Sequence, residues 1–172
     1  MKTWVALLRG VNLGSRNKVP MAALRAALED AGFEAVSTHI QSGNVFLRAV
    51  SSPAARIEKV IAEEFGVRST VVVRTPAELR AAVEGNPFPP DTSHVMFLSR
   101  KPAAKAVASL DPERSPPDEF EVRGREIYLD LPRGFHRSKL TIDYFERRLG
   151  VNATLRNWRT VLKLVELTTD RS

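Results

Sequence analysis

Trp4-Val5-Ala6-Leu7-Leu8 is an unbroken apolar run closed by Arg9-Gly10, and it constrains the fold more than any other stretch. A strand that is apolar at both parities must be covered on both faces, so this run predicts a central strand. Helical spacing follows at Met21, Leu24, Leu28 and Ala31, with Pro20 suited to a first helical position and Gly32 as the stop. Residues 36–40 and 45–49 read as two short strands around Gln41-Ser42-Gly43-Asn44, whose Ser-Gly centre predicts a hairpin. Ser52-Pro53 opens a second helix with Ile57, Val60, Ile61 and Phe65 inward and Gly66 at its end, and residues 70–73 form a fourth strand. The order is β-α-β-β-α-β, that of a ferredoxin-like unit.

Thr75-Pro76-Ala77-Glu78 has capping-box spacing and starts a linking helix, with Leu79 and Val83 inward and Gly85 closing it. The stretch Asn86-Pro87-Phe88-Pro89-Pro90 then makes a stiff connection. The second half repeats the order: a strand at 94–99, a short helix at 103–110, a hairpin of 119–123 and 126–131 across Gly124-Arg125, a helix at 140–149 and a strand at 153–156. Trp158, Val161, Leu162 and Val165 form the apolar stripe of a terminal helix. The likeness between halves is one of element order, with no repeat at residue level. The expectation is an α+β chain of duplicated ferredoxin-like (βαββαβ) halves, residues 1–74 and 93–172, joined through 75–92.

Composition removes several function classes. Of 172 residues, 43% are apolar and 27% charged, as in a protein with a core rather than a disordered segment. The absence of cysteine excludes disulfides, cysteine-ligated metal and thiol nucleophiles. His39, His94 and His136 lie too far apart for a local metal motif, so no metal site and no cofactor is expected. No apolar run approaches the ~20 residues that span a bilayer, and the opening segment lacks a cleavage site, so a cytoplasmic protein with no membrane partner is expected.

The net charge of +6 is unevenly spread. Residues 9–25 carry Arg9, Arg16, Lys18 and Arg25 with no acid, and residues 133–163 carry eight basic residues against Asp143 and Glu146. All the remaining segments together are net acidic. Such concentration suits an anionic partner.

Three segments carry a family resemblance. They are Leu7-Leu8-Arg9-Gly10-Val11-Asn12-Leu13-Gly14 with Asn17-Lys18-Val19-Pro20-Met21, then Ile40-Gln41-Ser42-Gly43-Asn44-Val45, and Arg156-Asn157-Trp158 with Thr160-Val161-Leu162-Lys163-Leu164. With Ser138-Lys139-Leu140 as a fourth, the chain resembles the bacterial domain-of-unknown-function family numbered sixteen ninety-seven, over nearly its whole length. It departs from that pattern at Ser15-Arg16, where a second glycine is usual, and at His39, where an aromatic is usual. The resemblance implies a duplicated ferredoxin-like fold and no activity.

The loop of Arg9, Asn12, Arg16, Asn17 and Lys18 is the leading candidate site. Glycines, asparagines and cations between a buried strand and a helix can present N–H groups and charge to an oxyanion. The same composition also fits a plain connection whose glycines supply positive φ and whose asparagines bond their own backbone. Neither phosphate-loop spacing nor G-x-G-x-x-G is present. Gln41 and Asn44 are further candidates, although a hairpin at Ser42-Gly43 is expected to put them at the opposite end of the sheet from Arg9 and Lys18. Lys139, Arg156, Asn157 and Arg159 complete the set. Arg156 and Arg159 flank Trp158, which suits phosphate contact with base stacking, whereas Asn157 as a helix cap and Trp158 as a core anchor is the structural alternative. Ser138 beside Lys139 could form a nucleophile–base pair only if the lysine were desolvated; otherwise Ser138 caps the following helix. No catalytic residue is assigned. The expected function is binding of an anionic ligand, nucleic acid or phosphorylated metabolite, through basic loops. The alternatives are an enzyme on a small anionic substrate using the Arg9–Lys18 loop, or a protein-interaction module.

Overall fold

The structure, a computed structural model, describes residues 1–169. These form a mixed α+β protein with two four-stranded antiparallel sheets and six α-helices. The chain divides into two compact units, Met1–Leu79 with the segment from Leu167, and Arg80–Glu166.

In the first unit the order along the chain is β1 (Lys2–Leu8), α1 (Met21–Asp30), β2 (Glu34–His39), β3 (Asn44–Ala49), α2 (Ala54–Phe65) and β4 (Val71–Arg74). The sheet order is β2-β3-β1-β4, so β1 is central and antiparallel to both neighbours. Ala6 and Leu8 share a core with Leu24 and Leu28 of α1 and Ile57 and Ile61 of α2. Val5 and Leu7, at the other parity, are also fully buried, which is why the run carries no polar residue. Burial of each such side chain contributes roughly 1.5–3 kcal/mol.

The second unit holds most of α3 (Pro76–Glu84), then β5 (Ser93–Leu98), α4 (Ala104–Ala108), β6 (Glu119–Arg123), β7 (Glu126–Asp130), α5 (Ile142–Leu149), β8 (Ala153–Asn157) and most of α6 (Trp158–Thr169). Its sheet order is β6-β7-β5-β8. Met96, Leu98, Ile127 and Leu129 pack with Tyr144, Phe145 and Leu149.

Several local expectations are corrected. Ser138 does not cap α5: Thr141 does, its Oγ1 accepting from Tyr144 N at 3.2 Å, while Ser138 Oγ accepts from Leu140 N at 3.0 Å. Leu162 is 44% exposed, because the buried stripe of α6 runs through Trp158, Val161, Leu164 and Thr168. Gly85 ends α3 without a positive φ; a Cβ there would lie 2.8 Å from the Tyr128 hydroxyl, so close approach is what requires glycine.

A residue-level correspondence, unseen in the sequence, also emerges. Val5 pairs with Arg74 in the first sheet and Val95 pairs with Arg156 in the second. Both arginines are buried, and Nη1 of each donates to the carbonyl of its preceding residue, Val73 at 2.8 Å and Leu155 at 2.9 Å. A helix follows each arginine after one capping residue: Thr75 Oγ1 accepts from Glu78 N at 3.2 Å, and Asn157 Oδ1 accepts from Thr160 N at 2.9 Å. The buried positions Leu79 and Ala82 then match Val161 and Leu164. Differing side chains after the arginine, Thr-Pro-Ala-Glu against Asn-Trp-Arg-Thr, conceal the likeness in the sequence.

Candidate functional site

The connection from β1 to α1 folds into a small hairpin of its own. Asn12 N donates to Asn17 O at 2.9 Å, and Leu13 and Arg16 exchange N–H···O bonds of 3.0 and 2.9 Å. Gly10, Asn12, Gly14 and Asn17 all have positive φ, a conformation that glycine and asparagine tolerate best. Two side-chain amides lock the shape. Asn17 Nδ2 donates to Gly10 O at 2.9 Å. Asn12 Oδ1 accepts from Val19 N at 2.8 Å, and its Nδ2 donates to Val19 O at 3.0 Å and to Gln41 O at 2.7 Å. The loop base is held by Arg9 N donating to Thr70 O at 3.0 Å and Ser69 Oγ donating to Arg9 O at 2.8 Å. Ser69, buried and outside the recognised motifs, was not identified from the sequence.

The Asn12–Gln41 bond overturns the expectation that the hairpin lies at the opposite end of the sheet. β1 and β2 run parallel with antiparallel β3 between them, so the loop leaving β1 and the turn leaving β2 share one end. The hairpin itself is as expected, with residues 40–43 joining β2 to β3. Leu8 N donates to Gly43 O at 2.9 Å. A Cβ on Gly43 would stand 2.8 Å from Leu8 Cβ and 2.9 Å from Val11 Cγ2. The glycine of the Gln-Ser-Gly-Asn turn therefore serves the contact with the loop as well as the turn. Asn44 is fully buried, and its Nδ2 donates to His39 O at 2.9 Å and Ser42 Oγ at 3.2 Å, fixing the turn from within.

Among the first-unit candidates, then, the side chains of Asn12, Asn17 and Asn44 donate to backbone carbonyls. Arg16, Lys18 and Gln41 are exposed, and Arg9 is half-buried. The six consecutive residues 13–18 are all exposed. Two apolar side chains of the loop and the turn are also exposed, Leu13 at 53% and Ile40 at 49%. Ile40 also has φ of 53°, an unfavourable conformation for a β-branched residue. Neither the exposure of Leu13 nor the strain at Ile40 had a sequence signal.

The second-unit candidates separate from one another. Arg156 lies in β8, as the strand expected at 153–156 implies, and is 7% exposed, with Nη1 also donating to Thr154 Oγ1 at 2.8 Å. Burial pushes its guanidinium down to about 10, still cationic at neutral pH. Trp158 is 8% exposed, so the proposed exposed aromatic flanked by two arginines is not formed; only Arg159 of the pair is exposed. The alternation of β8 explains this, placing Thr154 and Arg156 on one buried face and Asn157, its exposed last residue, on the other. Asn157 caps α6 as described. Lys139 is exposed, its backbone N donating to Ser115 Oγ at 3.0 Å. Ser138 Oγ accepts from the backbone N–H of Leu140, and no desolvated lysine accompanies it. Among the described residues no group of His, Asp or Glu is placed to hold a metal ion, and no helix is long and apolar enough to cross a membrane.

Fold and site thus define an α+β protein whose first sheet carries a locked, basic loop at one end. Residues 1–128 match the family described as a protein of unknown function, DUF1697, and the chain belongs to that family. Its structure resembles that of a conserved bacterial protein, SP0830 from Streptococcus pneumoniae, with a TM-score of 0.72 and 23% identity, covering 95% of this chain and 97% of that one. No curated protein matches it.

Proposed function

We propose that the chain binds an anionic macromolecule, the phosphate backbone of a nucleic acid, through the basic β1–α1 loop. The supporting observation is that Asn12 and Asn17 hold the loop in one shape while residues 13–18, including Arg16 and Lys18, stay exposed. A fixed shape lowers the ordering cost of binding, and an outward loop suits a long polyanion better than a small metabolite, which needs enclosure. Titration of labelled single-stranded and duplex oligonucleotides at several salt concentrations tests this. Binding that weakens steeply with salt supports it; no binding at low salt, or salt-independent binding, removes it. A protein-interaction surface is the second reading, supported by exposed Leu13 and Ile40.

The finer architecture belongs to the same proposal: two ferredoxin-like halves, residues 1–74 and 93–172, linked by 75–92. Matching strand orders, β2-β3-β1-β4 and β6-β7-β5-β8, support it. So do the paired buried arginines and the matching Leu8 N to Gly43 O and Leu98 N to Arg125 O bonds.

A further inference from the structure

A second basic feature is lined entirely by residues of the unit 80–166. A cleft of about 320 Å³ runs along the side of α5, lined by Arg114, Thr141, Asp143, Tyr144, Arg147 and Arg148. Its size falls within the range of small-ligand sites. Three guanidinium groups against one carboxylate line it, although arginines on a helix surface ordinarily diverge into solvent.

Arg114 is held in place. Its Nε donates to Lys139 O at 2.8 Å and its Cζ lies 4.0 Å from the Tyr144 ring centroid. Lys139 thus meets this cleft through its backbone carbonyl, 25 residues along the chain from Arg114. Arg148 Cζ lies 5.7 Å from the same ring, so one aromatic gathers two cations. Tyr144 is itself fixed, being buried, with its hydroxyl accepting from Asp111 N at 2.9 Å. Arg147, exposed on the same helix, is the third cation. Thr141 accepts the capping bond from Tyr144 N, which leaves its hydroxyl hydrogen to donate elsewhere.

The geometry points to this cleft as a binding site for a phosphate group, a phosphomonoester or pyrophosphate. Guanidinium forks match tetrahedral oxyanions by paired N–H···O bonds, and a dianion relieves the mutual repulsion of gathered arginines better than a carboxylate. Arg114 is preorganised by Lys139 and Tyr144, and Arg147 and Arg148 close from the helix. Asp143, the one carboxylate in the lining, limits affinity.

Calorimetric titration with inorganic phosphate, pyrophosphate and adenosine monophosphate, at matched ionic strength, tests the site in the full chain. Saturable binding of at least one probe is expected, weakened at least tenfold by Arg147→Ala and by Arg148→Ala. Both positions are exposed, and an unchanged circular-dichroism melt establishes that the variants fold. Asp143→Asn is expected to tighten binding several-fold, an effect that general loss of structure would not produce. Arg16→Ala/Lys18→Ala is expected to bind these probes as the unaltered chain does, so failure of the loop reading leaves this result standing. Non-saturable binding, or binding indifferent to Arg147→Ala and Arg148→Ala, overturns the assignment. Preference for adenosine monophosphate over phosphate identifies a nucleotide ligand; the reverse identifies a free phosphate or pyrophosphate.

Discussion

The side-chain amide of Asn12 donates to the backbone carbonyl of Gln41 at 2.7 Å, joining the loop after β1 to the turn after β2. The same side chain exchanges two bonds with Val19, so one residue fixes the loop base, the approach to α1 and the neighbouring hairpin. Asn12→Ala removes all three and leaves a non-glycine residue at φ of 55°. The expected loss is about 1–3 kcal/mol, at about 0.5–1.5 kcal/mol per hydrogen bond with partial solvent replacement. A urea denaturation midpoint lowered without change in slope checks it, together with faster amide exchange in residues 9–20.

Ile40 should be suboptimal for stability. It is half exposed and left-handed, a conformation that costs a β-branched residue roughly 1–2 kcal/mol. Ile40→Asn is therefore expected to raise the melting temperature. If the apolar surface beside the loop serves a partner, the same variant loses partner binding while gaining stability. A lowered melting temperature contradicts this reading.

Gly85 and Tyr128 form a steric pair. Tyr128 donates to Ala82 O at 2.7 Å, and its hydroxyl is pushed up to about 12, chiefly by burial and secondarily by Glu126, with Arg123 opposing. Gly85→Ala sets a methyl 2.8 Å from that hydroxyl, and overpacking of this kind costs about 1–3 kcal/mol. In the double variant with Tyr128→Phe, the loss should be smaller than the sum of the two single losses. Strict additivity in denaturant melts would contradict the pairing.

His94 supplies a pH dependence. Burial lowers its imidazole below the usual value of 6.5, outweighing the raising effect of the Thr92 backbone carbonyl, and its Nδ1 is buried without a hydrogen-bond partner among the described residues. The unfolded chain therefore binds a proton more readily than the folded one. The contribution of His94 to stability is level above pH 6.5 and falls as pH drops below it. His94→Gln should flatten the melting temperature between pH 6.5 and 5.5; an unchanged slope would assign the dependence elsewhere.

The core was legible because burial writes itself into periodicity: residues 4–8 announce a central strand, and Met21, Leu24 and Leu28 the inner face of α1. The loop's asparagines were legible as turn formers, yet their long-range partners were not, since Gln41 lies 29 residues from Asn12 and only topology joins them. Tracing the strand directions correctly would have put both connections at one end. Arg156 misled because a buried arginine and a ligand-binding one look alike in sequence; register with Val95 distinguishes them. Arg114 stood in an unremarkable turn, and only its stacking on Tyr144 marks it.

The most direct test of the central claim is the salt dependence of oligonucleotide binding by the unaltered chain and by Arg16→Ala/Lys18→Ala. Both side chains are exposed and outside the loop's hydrogen-bonded frame, so folding should be retained. Each phosphate contact contributes about 0.7–0.9 to the slope of log affinity against log salt. The double variant should bind more weakly at low salt with a slope shallower by roughly 1.4–1.8. Equal affinity and equal slope for the two proteins would contradict a phosphate-binding loop.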